Sequence, residues 1–447
     1  MRTTILYILM AVIALCGVSC SVESQVDNPN NVTPQRSYTI MLYGSGGGLD
    51  IADEQMINSL NKLNIPSNIN VVGQFKWSLG YRSELSDGKG GVSRFKFNHS
   101  TLRNEFEPFA SNDYRIDDSE NLSEFISWAR TEAPADEYLI IFIGHGNGYH
   151  PMYDAPTRGI LRDDIYSTYL GIDAIREAFA ATDIQFSLTM MMCCLVNTME
   201  YVTELAPYTD YYYASNHVMV LTMLELEAIV EGLIKYGRQE DAVLSTTKRM
   251  IDMIYDNPTE QLPYNEVLDA TLTRTSAISE LNKAIKRFVD RVAWLYDQQE
   301  WIGAEAMRES YGFDTSELDA AMADSYYLIG PYLAHSNSSV SEFQWYRNVY
   351  TYDIVDIVTR IAAKSCDSTL KSCADRVVSA ATEAIAYQRS YRLSGVDRVY
   401  YGVTLVNCEE WAKFGYDAAH YDTLAFDRAT GWSRLLQLNQ AAYPHTR

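Results

Sequence analysis

The sequence predicts an α/β fold, in which a mostly parallel sheet is flanked by helices and is followed by a largely helical C-terminal part. Three observations lead to this prediction. Strand-length apolar runs alternate with helix-length amphipathic segments, an order typical of a parallel sheet with helices on both faces. Two stretches, 137–148 and 186–200, each contain an apolar run that ends in a reactive side chain. Beyond residue 257 the apolar residues recur mainly at helical spacing.

The first half of the chain supplies the expected sheet elements in order. Residues 38–43 predict a strand, and the Gly-rich turn 44–48 after it lacks the rest of any phosphate- or dinucleotide-binding motif. The elements that we expect next are a helix at 50–63, a strand at 69–75, a hairpin around 86–97, a helix at 121–132, a polar loop at 149–168, a helix at 171–181, a helix at 195–205 and a strand at 208–216.

The second half of the chain is expected to be mostly helical. Proline and asparagine near residue 257 mark a boundary. The predicted elements are helices at 221–236, 242–255, 264–297, 316–334 and 369–392 and a strand at 398–406. We therefore expect a core at 37–256 and a helical region at 257–447 that contributes late strands.

Composition and charge narrow the possible partners. Hydrophobic residues make up 47% of the chain, as expected for a folded protein. The net charge is 36 − 58 = −22. Because so acidic a chain repels phosphate backbones, we expect no nucleic-acid partner.

The N-terminus resembles a bacterial lipoprotein signal. A basic start and a short apolar run lead to small residues before Cys20, so we expect a signal peptide at 1–19, lipid on the Cys20 thiol and a polar tether at 20–36. The membrane partner is then reached through the lipid alone. This predicts a protein anchored in the cell envelope, at the outer membrane or cell surface, that faces the periplasm or exterior. Ordinary secretion, with Cys16 and Cys20 both removed, is the alternative.

The other cysteines suggest no metal site. No Cys-x-x-Cys pair and no His cluster is present. Cys366 and Cys373 either form a disulfide across a short loop or pack as small apolar residues. Cys193 and Cys194 are adjacent and would form only a strained pair.

His145 and Cys194 are the candidate reactive pair. Each follows a predicted strand, and the carboxyl ends of strands in an open α/β sheet meet at one edge. A cysteine nucleophile needs a base and a lowered pKa, which an imidazolium and a helix N-terminus supply, and we expect Cys194 to begin a helix. The backbone N–H groups of Gly146 and Cys194 are candidate donors to an oxyanion. The separation of 194 − 145 = 49 residues is close to the roughly 50 between His and Cys in caspases.

Several motifs together resemble the clostripain family of cysteine peptidases. They are the Phe-x-x-Trp helix within 122–128, the Pro-Ala-Asp stretch within 133–138, the His-Gly-x-Gly turn at 145–148 and the segment 192–200 around Cys194. The resemblance implies a caspase-like core, a peptide or protein substrate, Cys194 as nucleophile and His145 as its catalytic partner. It also implies that Ser215 lies near the substrate cleft. We expect no cofactor, and the resemblance leaves calcium, which some relatives need, as the alternative.

The chain departs from the family pattern in three places. The acidic residue two positions before the nucleophile, which is associated with Arg or Lys specificity, is Met192, so we expect an uncharged residue before the scissile bond. The residue just before the nucleophile is Cys193, which leaves that thiol as an alternative. The opening loop carries Gly46–Gly48 in place of Asp and Asn. These departures leave a second hypothesis, a catalytically silent binding lipoprotein on the same scaffold.

Relatives often mature by cutting themselves between His and Cys. The basic candidates in this chain are Arg158 and Arg162. Because Met192 removes the acid that such cleavage needs, we expect self-cleavage to be absent or performed by another protease.

Overall fold

The computed structural model describes residues 36–81, 91–149, 159–216, 219, 225–256, 268–302, 351–365, 367–391, 402–406 and 421–435. From Arg36 onward the chain forms one compact unit. The predicted signal peptide, Cys20, the tether, the helix at 316–334 and Cys366 all lie outside the described residues.

A nine-stranded mixed sheet forms the centre of the described structure. The strands of the protein, in chain order, are β1 (Tyr38–Ser45), β2 (Ile69–Trp77), β3 (Gly91–Asn98), β4 (Arg103–Ala110), β5 (Glu137–Ile143), β6 (Ile160–Asp163), β7 (Thr168–Leu170), β8 (Phe186–Met192), β9 (Tyr211–Ala214), β10 (Leu268–Arg274), β11 (Thr351–Asp353), β12 (Ile385–Tyr391) and β13 (Thr404–Val406). The order in the large sheet is β12-β10-β9-β8-β5-β1-β2-β3-β4.

The five central strands are parallel, and both edges are antiparallel. Parallel pairs run from β2 through β1, β5 and β8 to β9. The antiparallel strands β3 and β4 extend one side, and β10 and β12 extend the other. The pairs β6–β7 and β11–β13 form two small separate sheets. The predicted α/β class with a mostly parallel sheet is confirmed.

Helices cover both faces of the sheet. They are α1 (Asp50–Ser59), α2 (Ser119–Glu132), α3 (Ile172–Thr182), α4 (Met199–Leu205), α5 (Glu225–Tyr236), α6 (Ala242–Asp256), α7 (Ile278–Ile302), α8 (Ile354–Lys364), α9 (Ser368–Ala384) and α10 (Ala425–Thr430). Alternate residues of β5 enter different cores, with Ile140 and Phe142 on the α2 and α3 face and Ile141 on the α1, α5 and α6 face. This double burial explains why β5 is apolar throughout.

Three of the predicted elements contain a strand where the sequence predicts a loop or a helix. The expected loop at 149–168 contains β6. The expected helix at 264–297 begins with the strand β10, and the one at 369–392 ends as β12. In β10 the Thr-rich alternation suits a pleated strand better than a helix, and both edges of β10 are paired, with β9 on one side and β12 on the other.

Strands from both sides of residue 257 share the large sheet, since β10 and β12 pair beside β9. The C-terminal region therefore contributes two strands to the large sheet, at positions where the sequence predicts helices. The division of the chain at that residue remains a prediction.

Candidate active site

The carboxyl ends of β1, β5 and β8 meet at one edge of the sheet, which we call the carboxyl edge. In the strand register, Gly44 of β1 aligns with Ile143 of β5. Ile143 in turn aligns with Met192 of β8. The segments that leave this edge are the 46–48 loop after β1, His145 after β5 and Cys194 after β8.

The backbone at His145 is held by the neighbouring strand β6. The Leu161 N–H donates to the His145 carbonyl oxygen at 2.7 Å, and the Asn147 N–H donates to the Gly159 carbonyl oxygen at 3.0 Å. The turn between them is therefore fixed on both sides of Gly146.

A buried ion pair holds β6 in place. Lys76, at the end of β2, donates to Asp163 Oδ2 at 2.7 Å and to the Tyr114 carbonyl oxygen at 2.7 Å. The other oxygen, Asp163 Oδ1, accepts from the backbone N–H groups of Ile165 and Tyr166. Because every polar atom of the pair has a partner, its burial is compensated.

The His145 ring has a defined hydrogen-bond role. Its Nε2 lies 3.1 Å from the Gly47 carbonyl oxygen. A carbonyl only accepts, so Nε2 carries the proton and Nδ1 is the basic nitrogen of the neutral ring. Burial lowers the pKa of His145, an effect that the Gly47 carbonyl partly opposes.

Cys194 lies in a turn and not at the start of a helix, which corrects the sequence prediction. The helix α4 begins at Met199, where Thr198 is the N-cap and accepts from the Tyr201 N–H. Between them Leu195 adopts a left-handed conformation with φ of 65°, which is uncommon for a residue with a Cβ. The α4 dipole therefore acts beyond its useful range and does not activate Cys194.

The Cys194 thiol is partly exposed and is contacted by backbone groups. The Met219 N–H donates to Cys194 Sγ at 3.2 Å. Burial raises the pKa of Cys194, while the N–H groups of Met219 and Gly146 favour the thiolate and oppose that rise.

Gly146 and Cys194 are in close backbone contact. A methyl group added at Gly146 would lie 2.5 Å from the Cys194 carbonyl oxygen and 2.8 Å from its nitrogen. Only glycine fits there, and the two predicted oxyanion donors are neighbours. His145 and Cys194 thus leave adjacent strands on either side of this contact.

Cys193 faces the core. It is buried, and its thiol lies 3.8 Å from the Phe142 carbonyl oxygen. Burial raises its pKa well above the ordinary range for a thiol. Since a buried neutral thiol is inert, the geometry favours Cys194 over Cys193 as the nucleophile.

The two residues predicted to bind substrate are both buried. Met192 packs in the core on the α1 and α5 face. The Ser215 hydroxyl donates to Asp269 Oδ1 at 2.9 Å. Asp269 Oδ2 accepts from the backbone N–H and the side-chain amide of Asn216 at 3.0 and 2.7 Å. Sequence reasoning missed Asp269 because it lies on β10, which was read as a helix.

A late segment of the chain closes the turn after Cys194. The Asn197 N–H donates to the Ser215 carbonyl oxygen at 3.1 Å. The Asn197 carbonyl oxygen accepts from the N–H and the hydroxyl of Thr404 at 3.2 and 3.0 Å. The Asn197 side-chain amide donates to the Gly402 carbonyl oxygen. The predicted late strand, β13, therefore supports the turn directly.

The described ranges contain no group of three or more His, Cys, Asp or Glu residues that could hold a metal ion. Within the same ranges, none of the helices combines the length and the apolar character needed to cross a membrane.

Comparison with protein families gives a match over most of the chain. The model of the clostripain family matches residues 97–437, a range that includes His145 and Cys194. No curated protein matches the chain in sequence.

Solved structures of C11 proteases share the fold. An inactive zymogen C11 protease from Parabacteroides distasonis is 14% identical, with a TM-score of 0.58, over 89% of this chain and 98% of that one. A secreted C11 cysteine protease from Bacteroides thetaiotaomicron, iotapain, is 12% identical, with a TM-score of 0.55, over 88% of this chain and 99% of that one. A structure of a secreted C11 cysteine protease from the same organism with an irreversible peptide inhibitor has a TM-score of 0.57 at 13% identity, over 89% of this chain and 99% of that one.

Proposed function

The chain belongs to the clostripain family of cysteine peptidases, and from this premise we propose that it hydrolyses peptide bonds through a dyad of Cys194 and His145. The observation that carries this proposal is the backbone contact between Gly146 and Cys194, which brings the ends of β5 and β8 together. A nucleophile and its base must converge in this way for covalent catalysis.

In the proposed reaction the two groups start uncharged. Burial raises the pKa of Cys194 and lowers the pKa of His145, so thiol and imidazole are the resting forms. His145 Nδ1 accepts the thiol proton as Sγ attacks the peptide carbonyl carbon, and it then donates that proton to the leaving amine. Water hydrolyses the resulting thioester and regenerates the thiol.

The negative charge of the tetrahedral intermediate needs donors. We assign them to the N–H groups of Gly146 and Cys194, which lie side by side at the carboxyl edge. Fixed backbone donors of this kind need no reorganisation when charge develops.

Specificity is expected to differ from that of an enzyme strictly selective for Arg or Lys. Met192 occupies the position of the family's acid and packs in an apolar core. A cationic side chain without an acid there would lose hydration without compensation. We therefore propose an uncharged residue before the scissile bond.

Self-cleavage after Arg162 is disfavoured by its position. Arg162 lies in β6, paired with β7 and next to the His145 turn. A strand held in this way cannot extend into an active site without losing its pairing. Arg158 lies outside the described residues. We propose that maturation cleavage is absent or needs another protease.

We also propose attachment to the cell envelope through lipid on Cys20. Support comes from the lipoprotein-like N-terminus, and one structural relative is described as secreted. The strong negative charge supports the absence of a nucleic-acid partner.

A peptide probe that alkylates active-site thiols tests the dyad. We expect the parent and Cys193→Ala to be labelled, and Cys194→Ala and His145→Ala to lose labelling together with at least about a thousandfold in peptide hydrolysis. Cys373→Ala, on α9, is a matched control with a distant thiol and should behave as the parent. Equal labelling of all variants would contradict the dyad, and an unlabelled, inactive but folded parent would favour the binding lipoprotein.

A further inference from the structure

The α1 helix carries a buried carboxyl that the proposed mechanism does not use. Asp53 is completely buried, and neither of its oxygens has a hydrogen-bond partner within the described part of the protein. Buried polar groups are nearly always paired, because losing hydration without a new partner is costly. A carboxyl of this kind therefore calls for a ligand or a catalytic role.

Asp53 lies next to the carboxyl edge. The α1 helix starts two residues after Gly48, in the same connection that holds His145 through the Gly47 carbonyl. Asp50, one turn before Asp53, accepts from the Ser78 N–H at 2.7 Å. A negative charge on Asp53 raises the pKa of Cys193, the residue beside the nucleophile, which places the two side chains in the same neighbourhood.

The helix that carries Asp53 contributes to the core that contains Met192, the predicted specificity residue. Met56 and Ile57, one turn further along α1, pack in the same core as Met192. Met192 is unbranched and flexible, so it can move aside for a substrate side chain. The loop above α1 consists of Gly46–Gly48 and adds no side chain that would block the approach; a methyl group at Gly48 would meet nothing within 4 Å.

The charged groups around Asp53 keep its proton on. Asp50 on the same helix is the only group whose charge acts on it within the described ranges, and together with burial it raises the pKa of Asp53 to about 8. On α5, Glu227 lies 3.9 Å from Lys62, and Glu225 is a further acid. β4 reaches α1 through the neutral amide of Asn104.

We propose that Asp53 is a specificity-determining residue that binds the carboxamide of a glutamine or asparagine side chain placed before the scissile bond. This rests on the proposed peptidase activity. A protonated carboxyl offers one O–H donor and one C=O acceptor, and a carboxamide offers the matching acceptor and donor. Two parallel hydrogen bonds would then satisfy both oxygens of Asp53 without bringing a charge into the apolar core.

A basic side chain suits this site less well. It would have to enter beside Met192 and drive the proton from Asp53, so that two charges are buried together. The neutral pair needs no charge separation. The site is therefore consistent with an uncharged residue before the scissile bond and narrows that residue to a polar amide.

Peptides that differ only in the residue before the scissile bond test the proposal. With Gln, Met and Lys at that position, we expect the parent enzyme to favour Gln over Met by about tenfold or more in kcat/KM at neutral pH. The ratio should fall as the pH rises past about 8, where Asp53 loses the proton that it donates. Taking the ratio of two peptides cancels the pH dependence of the dyad.

Three variants separate the possible explanations. Asp53→Asn keeps a donor and an acceptor but no titrating proton, so it should retain the Gln preference and lose its pH dependence. Asp53→Leu should cleave the Gln and Met peptides equally, and the matched control Asp50→Asn should retain the parent's ratio. A parent that cleaves Gln and Met peptides equally, or that prefers Lys, overturns the proposal, as does a preference unchanged in Asp53→Leu.

A failure of the proposal is distinguishable from a failure of the peptidase assignment. If the thiol-directed probe labels Cys194 in the parent and the parent cleaves the Met peptide, the dyad stands whatever the Gln result. A parent that is neither labelled by the probe nor able to cleave any of the peptides would count against the dyad itself.

Discussion

Two buried aspartates lie near the carboxyl edge, and they differ in their hydrogen-bond partners. Asp163 pairs with Lys76, and its other oxygen accepts two backbone N–H groups. Asp53 has no hydrogen-bond partner among the described residues. Both side chains are fully buried, so burial alone does not distinguish a structural carboxyl from one that is available to a ligand.

The difference shows how the edge is divided. Near β6, the polar groups hydrogen-bond to one another and to the backbone, and they hold the chain at His145. On the α1 side, a polar group is left without a partner next to the nucleophile's strand. In the proposed mechanism the first arrangement holds the base His145 rigidly, and the proposed role of Asp53 uses the second for substrate selection. Four substitutions, taken from the largest expected effect to the smallest, test this division.

Replacing Lys76, the cation of the buried ion pair, should cause the largest loss of stability. Lys76→Met leaves Asp163 as a buried, uncompensated charge, and we expect the free energy of unfolding to fall by about 3–5 kcal/mol. Urea denaturation measures this. The matched control is Lys96→Met, since the Lys96–Glu132 pair is exposed and should contribute less than about 1 kcal/mol. Equal losses in both variants would contradict a structural role for the buried pair.

Neutralising Asp53 should instead raise the free energy of unfolding. Burial and Asp50 raise the pKa of Asp53 to about 8 in the folded protein, against about 4 in the unfolded chain. The unfolded state therefore loses the proton first, and the parent loses about 1.4 kcal/mol of stability per pH unit between about pH 4 and 8.

Asp53→Asn removes this loss, so its unfolding free energy should exceed the parent's increasingly across that window and then stay constant. Chemical denaturation at a series of pH values measures the difference. Asp290→Asn, at an exposed site, is the control and should stay within about 0.5 kcal/mol of the parent. A difference for Asp53→Asn that does not change with pH would remove the argument for a protonated Asp53.

Asp269 is a third buried aspartate, and like Asp163 it accepts hydrogen bonds at both oxygens. Asp269→Asn loses an acceptor for Ser215 or Asn216 and should lower stability by about 1–3 kcal/mol. Ser215 and Asn216 lie shortly before Met219, whose N–H donates to the Cys194 thiol. We therefore expect probe labelling to slow as well. Unchanged labelling in a folded variant would show that the strand end does not position the thiol.

Ser215 should give the smallest effect. Its hydroxyl already donates to Asp269, so Ser215→Ala should cost about 1 kcal/mol of stability and leave KM nearly unchanged. A several-fold rise in KM at unchanged stability would instead restore the role in substrate binding that the sequence suggested.

The elements predictable from sequence are those whose pattern is local. β5 and β8 are largely apolar because both faces are buried, and that signal needs no knowledge of their neighbours. The positions of His145 and Cys194 follow from those strands. Gly146 was also identifiable, because a turn between a strand and a close backbone contact requires glycine.

The features that sequence reasoning missed depend on residues far apart in the chain. β10 became a strand because β9 and β12 flank it. Asp163 lies 87 residues from its partner Lys76, and Asp269 lies 54 residues from its partner Ser215. The start of α4 was misjudged because Leu195 has a left-handed backbone, a conformation that nothing in a leucine indicates. Asp53 gave no signal at all, since an acid near the start of a helix is ordinary on an exposed surface.

The contact between Asn197 and Thr404 makes the turn after Cys194 depend on a segment that is synthesised much later. These residues are separated by 207 positions, so during synthesis Cys194 leaves the ribosome long before its supporting strand exists. At an elongation rate of roughly 5–20 residues per second, the interval lasts about ten to forty seconds. The turn around Cys194 lacks its final supports throughout that interval. The turn around Cys194 is therefore completed only after residue 404 has been synthesised.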